Sequence, residues 1–305
     1  MDNLVYLLYG QAGHDDELVY SVLSALQLIG PESSDYRMIV YTDHPAALGE
    51  LPVRIERLSE QVLVEWAGPF DFNHRRKIFV IKDALDKFGG RLILCDADTF
   101  FVKHPKKAFA RVRPGQTVMH IGEYHLYDPC ARKLADFLQV HDLRNRAGHR
   151  WNLTLATAMF NAGIIGLHES DISLLDEVVH LTDQVYPHLR IPTIEQFAFS
   201  VCFQHYTKLR QSYDVVHHYW PPARRALFRE QLSRVLHDCS IPSYEEQLRE
   251  LLPHRPSLKV RPFQWGRPSL SRSLKPWIRR LLTRAAERAG AKDKLKRTAP
   301  RIGRT

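Results

Sequence analysis

The stretch Arg91-Leu92-Ile93-Leu94-Cys95-Asp96-Ala97-Asp98 decides the fold. Leu92 to Cys95 is an uninterrupted apolar run, and such a run predicts a strand covered on both faces, as in sheets with helices on either side. Upstream, Phe72 to Phe88 sets Ile78, Ile81, Leu85 and Phe88 along one side of a predicted helix, and Gly89-Gly90 stops it. Further back, Leu4 to Tyr9 predicts a buried strand ending at Gly10. Asp15 to Leu28 predicts a helix from the spacing of Leu18, Val19, Val22, Leu23 and Leu26, and Met38 to Tyr41 a second strand. Alternating strands and helices predict an α/β fold with parallel neighbours. Ligands in such sheets collect beyond the carboxyl ends of the strands, and here that place belongs to Asp96 and Asp98.

Downstream, Thr117 to Ile121, Ala162 to Leu167 and Val215 to Tyr219 read as strands. Asp171 to Tyr186, Ile194 to Phe203, Arg224 to Val235 and Tyr244 to Leu252 read as helices. Pro253, Pro256, Pro262 and Pro268 then break regularity. One catalytic unit over residues 1 to 252 and a tail over 253 to 305 are therefore expected.

The chain has 305 residues, 44% of them hydrophobic and 25% charged, which is enough to bury a core. Its formal charge of +9 is unevenly placed. From Arg255 onward there are sixteen Lys and Arg against two acids, Glu287 and Asp293, a balance of +14 that leaves −5 for the other 254 residues. The basic character belongs to the tail, and the main domain gives no electrostatic reason to expect nucleic-acid binding. Cys95, Cys130, Cys202 and Cys239 stand far apart with no metal-ribbon or disulfide spacing, which suggests a reducing compartment. No run approaches the roughly 18 apolar residues of a membrane span, and the opening Met1-Asp2-Asn3 does not resemble a secretory leader. The expected location is the cytoplasm, with the tail a candidate for holding the protein at an inner membrane face.

In an extended segment, side chains at i and i+2 share a face, so Asp96 and Asp98 point the same way. Two adjacent carboxylates repel, and a divalent cation with oxygen ligands relieves that cost most simply. Such a cation, Mn²⁺ or Mg²⁺, can clamp a diphosphate and stabilise it as a leaving group. A phosphatase of the D-x-D-x-[TV] type is disfavoured: Phe100 holds the fifth position, and a strand-helix-strand unit precedes the acids.

Four segments in order resemble the GT-A-fold glycosyltransferases, closest to glycosyltransferase family 8. They are His74-Arg75-Arg76-Lys77-Ile78 leading into Leu92 to Thr99, Phe160-Asn161-Ala162-Gly163-Ile164-Ile165, Glu195-Gln196, and Val215-Val216-His217-His218-Tyr219-Trp220. The resemblance spans Leu4 to Arg224. It implies a mixed sheet, a nucleotide-sugar donor that is UDP-linked, a glycan or lipid-linked acceptor, and transfer with retention. It also implies roles for named residues. Lys77 and Arg224 would approach the diphosphate, and Asn161 and Gly163 would line the sugar pocket. Gln196 would sit near the anomeric carbon and Glu195 would accept a sugar hydroxyl. Asp96, Asp98 and one of His217 or His218 would hold the metal; neighbouring positions in a strand face opposite ways, so only one of the two can. His218 is the better placed, with Arg224 six residues later. Tyr9 could stack on the base and Asp43 contact it. In place of the family's usual uracil-reading element stands Tyr9-Gly10-Gln11, and Pro221-Pro222-Ala223 stands where a Lys-Pro-Trp element usually closes the site. A non-catalytic module of the same fold, binding a glycan or nucleotide, is the alternative reading.

In the tail, Leu274, Trp277, Ile278, Leu281, Leu282 and Ala285 form one helical stripe between 271 and 288, with Lys275, Arg279, Arg280, Arg284 and Arg288 outside it. Such a helix suits an anionic bilayer surface. No nucleic-acid partner is expected, since the tail lacks aromatic platforms beyond Phe263, Trp265 and Trp277.

Overall fold

The computed structural model describes residues 1–10, 14–30, 33–49, 51–241 and 243–256, with Arg224 described in its backbone alone. The amphipathic stretch at 271 to 288 lies outside the described residues.

Strand β1 (Asp2–Leu8) runs into helix α1 (Asp15–Ile29), followed by β2 (Tyr36–Thr42), β3 (Arg54–Arg57) and α2 (Glu60–Ala67). The next unit is α3 (Arg76–Phe88), β4 (Arg91–Cys95), β5 (Thr99–Phe101) and α4 (Lys106–Phe109). It leads through β6 (Val118–Met119), β7 (Gly122–His125) and α5 (Arg132–Val140) to β8 (Ala158–Phe160) and β9 (Ile164–His168). The described chain closes with α6 (Leu174–Val185), α7 (Ile194–Tyr206), β10 (Arg210–Gln211), β11 (Val216–His218), α8 (Pro222–Leu236) and α9 (Tyr244–Leu251).

Among the described residues the main sheet has seven strands, ordered β10-β6-β9-β4-β1-β2-β3. β1 pairs in parallel with β2 and β4, β2 with β3, and β10 with β6; β9 runs antiparallel to both β4 and β6. The α/β architecture and the mixed sheet read from the sequence are therefore present. Because β1, β2 and β4 are parallel, Tyr9, Asp43 and Asp96, which follow them, all emerge at the same edge.

Period-two alternation gives the sheet two apolar faces. Val5, Ile39, Leu92, Leu94, Ile165 and Leu167 pack against α3, α6 and α7 on one side. Leu4, Tyr6, Met38, Val40, Ile93 and Ile164 meet α1, α8 and α9 on the other. The turn before β4 needs glycine at Gly90: its φ is +72°, and a Cβ there would stand 2.7 Å from the Met1 carbonyl oxygen. Asn3 ties the same turn down, donating Nδ2 to the carbonyl of Gly89 at 2.7 Å.

Element ends shift from the sequence reading at several places, three of them close to the site. The helix read from Phe72 begins at Arg76, because Asn73–Arg75 forms a tighter 3-10 turn. The strand read over Thr117 to Ile121 shortens to β6, with β7 starting separately at Gly122. Residues 162 and 163 form a turn that precedes β9 and are not part of it, although Asp96 N still donates to Gly163 O at 2.9 Å just beyond the paired strands.

Candidate active site

The acid pair lies in a turn fixed from behind. Thr99 donates its hydroxyl to Asp96 O at 2.8 Å and shares a 2.9 Å hydrogen bond with Ser21 of α1. Ser24 accepts from the backbone N–H of Phe101 at 2.9 Å. Buried hydroxyls on α1 thus hold the strand that follows the acids, and they satisfy polar groups that would otherwise be costly in the core.

β5 then pairs antiparallel with β11, setting His218 opposite Thr99. This register brings His218 Nε2 to 3.1 Å from Asp98 Oδ1 and 4.0 Å from Asp96 Oδ2. Its other nitrogen, Nδ1, lies 2.7 Å from Asn161 Oδ1. That oxygen also accepts from Gly163 N at 2.9 Å, so it is the acceptor and Nδ1 carries the proton. In the neutral ring Nε2 is then the lone pair facing both acids, the arrangement in which a neighbour fixes the tautomer of a ligating histidine. His217 turns to the other face, edge-on to Phe100 with ring centres 5.2 Å apart. Of the two histidines, His218 is the one the structure brings to the acids.

One ligand atom from each of Asp96, Asp98 and His218 lies within 4.8 Å of the others. Two carboxylates and an imidazole with a directed lone pair fit a divalent cation by number and by donor chemistry. Two protein cations already face these acids. Lys77 Nζ is 2.7 Å from Asp96 Oδ1 and 3.7 Å from Glu195 Oε1, and Arg225 Nη1 is 2.9 Å from Asp98 Oδ2. Burial alone would raise Asp98, but His218, Arg225 and Lys77 hold it well below the usual carboxylate range. Lys77 is driven the other way: burial opposes its charge, yet Asp96 and Glu195 keep it protonated far above ordinary pH.

On the far side of His218 lies an amide cluster. Asn161 Nδ2 donates to Glu123 Oε1 at 3.0 Å and Gln196 Nε2 to Glu123 Oε2 at 2.9 Å. Gln196 Oε1 accepts from Ala162 N at 3.2 Å. One carboxylate therefore orients both amides named from the sequence, and burial pushes Glu123 above its usual range despite those bonds. Glu195 is buried, and its Oε2 has no hydrogen-bond partner among the described residues. A buried unpaired carboxylate oxygen beside a lysine is an acceptor awaiting a donor.

Tyr9 and Asp43 stand just past β1 and β2. Arg76 lies 4.5 Å over the Tyr9 ring, and Tyr9 donates its hydroxyl to Asn73 O at 3.3 Å. Asp43 accepts from Gly10 N at 3.1 Å and lies 2.6 Å from His44 Nδ1.

No family model and no curated protein matches the chain. Among solved structures, mouse xyloside xylosyltransferase 1 in its apo form is similar. Identity is 15% over 69% of this chain and 85% of that one, with a TM-score of 0.46.

The sequence reading missed three groups at this site: Glu123, Arg225 and Glu17. The side chain of Arg224, the cation expected here, lies outside the described residues, while its neighbour Arg225 meets Asp98. Glu17 carried a readable signal. With Ser21 and Ser24 it forms a polar row at i, i+4 and i+7 along a helix that is mostly apolar from Leu18 to Leu26, and all three are buried. Glu123, between Gly122 and Tyr124, had none.

Proposed function

We propose that the protein is a divalent-cation-dependent glycosyltransferase of GT-A type. It moves a sugar from a nucleoside-diphosphate donor, UDP-linked, to an acceptor hydroxyl on a lipid-linked glycan or surface polysaccharide precursor, with retention at the anomeric carbon. The observation that carries this reading is the convergence of Asp96, Asp98 and His218 at the carboxyl end of β4, with a lysine and an arginine beside them.

Asp96, Asp98 and His218 would hold Mn²⁺ or Mg²⁺, which supplies Lewis-acid stabilisation of a departing diphosphate. Lys77 and Arg225 add fixed positive charge on either side of the same place, where low dielectric strengthens it. Lys77, Glu195, Gln196 and Arg225 lie in the first turns of α3, α7 and α8, so three helix N-termini favour an anion there. Glu195 offers its unpaired oxygen to a sugar hydroxyl. Gln196 and Asn161, held by Glu123, are fixed in orientation before substrate arrives, which saves the ordering cost at binding. Gly163, which we place at the edge of the sugar pocket, leaves room for the imidazole of His218 to pack against the backbone. Tyr9 and Asp43, at the same sheet edge, are the groups to which we assign the nucleobase.

Among the described residues no helix is long and apolar enough to cross a membrane. We assign the protein to the cytoplasm, at the inner face of a membrane through its basic tail, where a lipid-linked acceptor is presented.

The deciding experiment is release of sugar from a panel of nucleoside-diphosphate sugars in the presence of Mn²⁺. The parent hydrolyses at least one donor slowly. Asp98→Asn, which keeps the shape and removes a ligand charge, loses that activity with an unchanged circular dichroism spectrum. Equal turnover by parent and variant would refute the metal role, and no turnover of any donor by the parent would favour the non-catalytic module.

A further inference from the structure

Arg225 is gripped from two sides. Its Nε donates to Glu17 Oε1 at 2.8 Å and its Nη2 to Glu17 Oε2 at 2.7 Å, a two-pronged pair that uses one edge of the guanidinium. The remaining nitrogen, Nη1, projects to Asp98 Oδ2 at 2.9 Å. Glu17 itself is wholly buried in the first turn of α1, with His14 Nδ1 2.9 Å and Arg229 Nε 4.0 Å from its Oε2. A buried carboxylate is tolerable only when paired, so the pair is locked from the Glu17 side.

This geometry has a consequence for Asp98. An arginine beside a lone carboxylate closes a two-pronged bridge with it and occupies both oxygens. Glu17 prevents that closure by taking two of the three nitrogens. Arg225 is left with one donor on one Asp98 oxygen, and Asp98 remains available to other ligands. A cation would be held through Oδ1, which faces His218, and Nη1 beside Oδ2 would stay placed to meet an anion.

We infer that Glu17 is a positioning residue that keeps Arg225 off Asp98 and aims its Nη1 at a diphosphate. The choice of diphosphate rests on the glycosyltransferase reading; the restraint of Arg225 rests on its contacts with Glu17 and Asp98, together with Nη2 lying 2.7 Å from His14 Nδ1. Glu17 therefore acts through Arg225 and never touches the ligand.

The test is calorimetric, on the full chain, with Mn²⁺ alone and then with inorganic pyrophosphate in saturating Mn²⁺. Glu17→Gln frees Arg225 to bridge Asp98, so Mn²⁺ affinity falls by about tenfold and pyrophosphate affinity falls with it, the weight of one charge-assisted bond. The double variant Glu17→Gln with Arg225→Gln removes the competitor. Mn²⁺ affinity then returns to within about twofold of the parent, an ordinary margin for sites that no longer interact, while pyrophosphate affinity stays low. A purely structural Glu17 cannot produce that reversal. Its loss would lower the melting temperature and both affinities together, and the second substitution would not restore the metal. Unchanged Mn²⁺ binding in Glu17→Gln, or no recovery in the double variant, overturns the inference. A parent that binds Mn²⁺ but no pyrophosphate overturns the diphosphate part and counts against the glycosyltransferase reading as well. A parent that binds neither removes both.

Discussion

His120 should make the protein acid-sensitive well above the pH at which carboxylates titrate. The residue is fully buried, its Nε2 lies 3.0 Å from Val216 O, and its Nδ1 has no partner among the described residues. It packs edge-on against His218 with ring centres 5.6 Å apart. Burial, reinforced by His218 and partly opposed by the bond to Val216 O, lowers its pKa to about 3. In the unfolded chain a histidine titrates near 6.5. Between those values the unfolded chain binds a proton that the folded one refuses, so stability falls as pH falls, by about 1.4 kcal/mol per unit. Over the interval from pH 6.5 to 4.5, above most carboxylate titration, this amounts to about 2 to 3 kcal/mol. His218 works with the opposite sign. Its pKa is raised by Asp98 and Asp96 against its burial, so its pairing is strongest at low pH and is lost as pH rises through that raised value. A comparison of the parent with His120→Gln, which keeps a donor for Val216 O, isolates the His120 contribution because His218 is common to both. Urea unfolding in metal-free buffer at fixed salt is the assay. The parent should lose about 2 to 3 kcal/mol more than the variant across the interval, and parallel curves would refute the reasoning.

Other outcomes test the site directly. Gly163→Ala would drive its Cβ into the imidazole of His218 and displace the ring, so Mn²⁺ affinity should drop by more than about tenfold, along with some stability; calorimetry with Mn²⁺ alone, beside a melting curve, reads it. Lys77→Met removes the cation between Asp96 and Glu195 and should slow donor hydrolysis by about a hundredfold, as loss of one preorganised charge does. A slowing of less than twofold would place Lys77 outside the chemistry. Deleting residues 271 to 305 should abolish sedimentation with anionic vesicles; equal binding by the truncated chain would assign the tail another role.

What the sequence disclosed and what it hid follow one physical division. The buried parallel strands were legible because strands covered on both faces must be apolar throughout, and Leu92 to Cys95 or Leu4 to Leu8 admit little else. The acids after β4 were legible because the end of such a strand is where side chains of one sign accumulate for a reason. Arg54–Arg57 escaped notice as a strand because it is a largely exposed edge paired on one side only, so its composition carries charge and no alternation. β5 and β8 escaped because each is three residues long and exists through its partner; only the pairing of Thr99 with His218 sets that histidine beside Asp98.

The same division explains the site residues. Lys77, Asn161 and Gln196 were reachable through short runs whose members act together in sequence. Glu123, Glu17 and Arg225 act across the fold, each defined by a partner 38 to 208 positions away. No local pattern encodes such a contact, yet its cost leaves a trace. A charged or hydroxyl residue on the apolar face of a helix is unfavourable unless something answers it, and Glu17, Ser21 and Ser24 on α1 are three such positions in one row. A polar stripe on a helix that must be buried is thus evidence of what the helix packs against. Here it faces the strand that follows Asp98, and α1 serves as the support that fixes where both acids point.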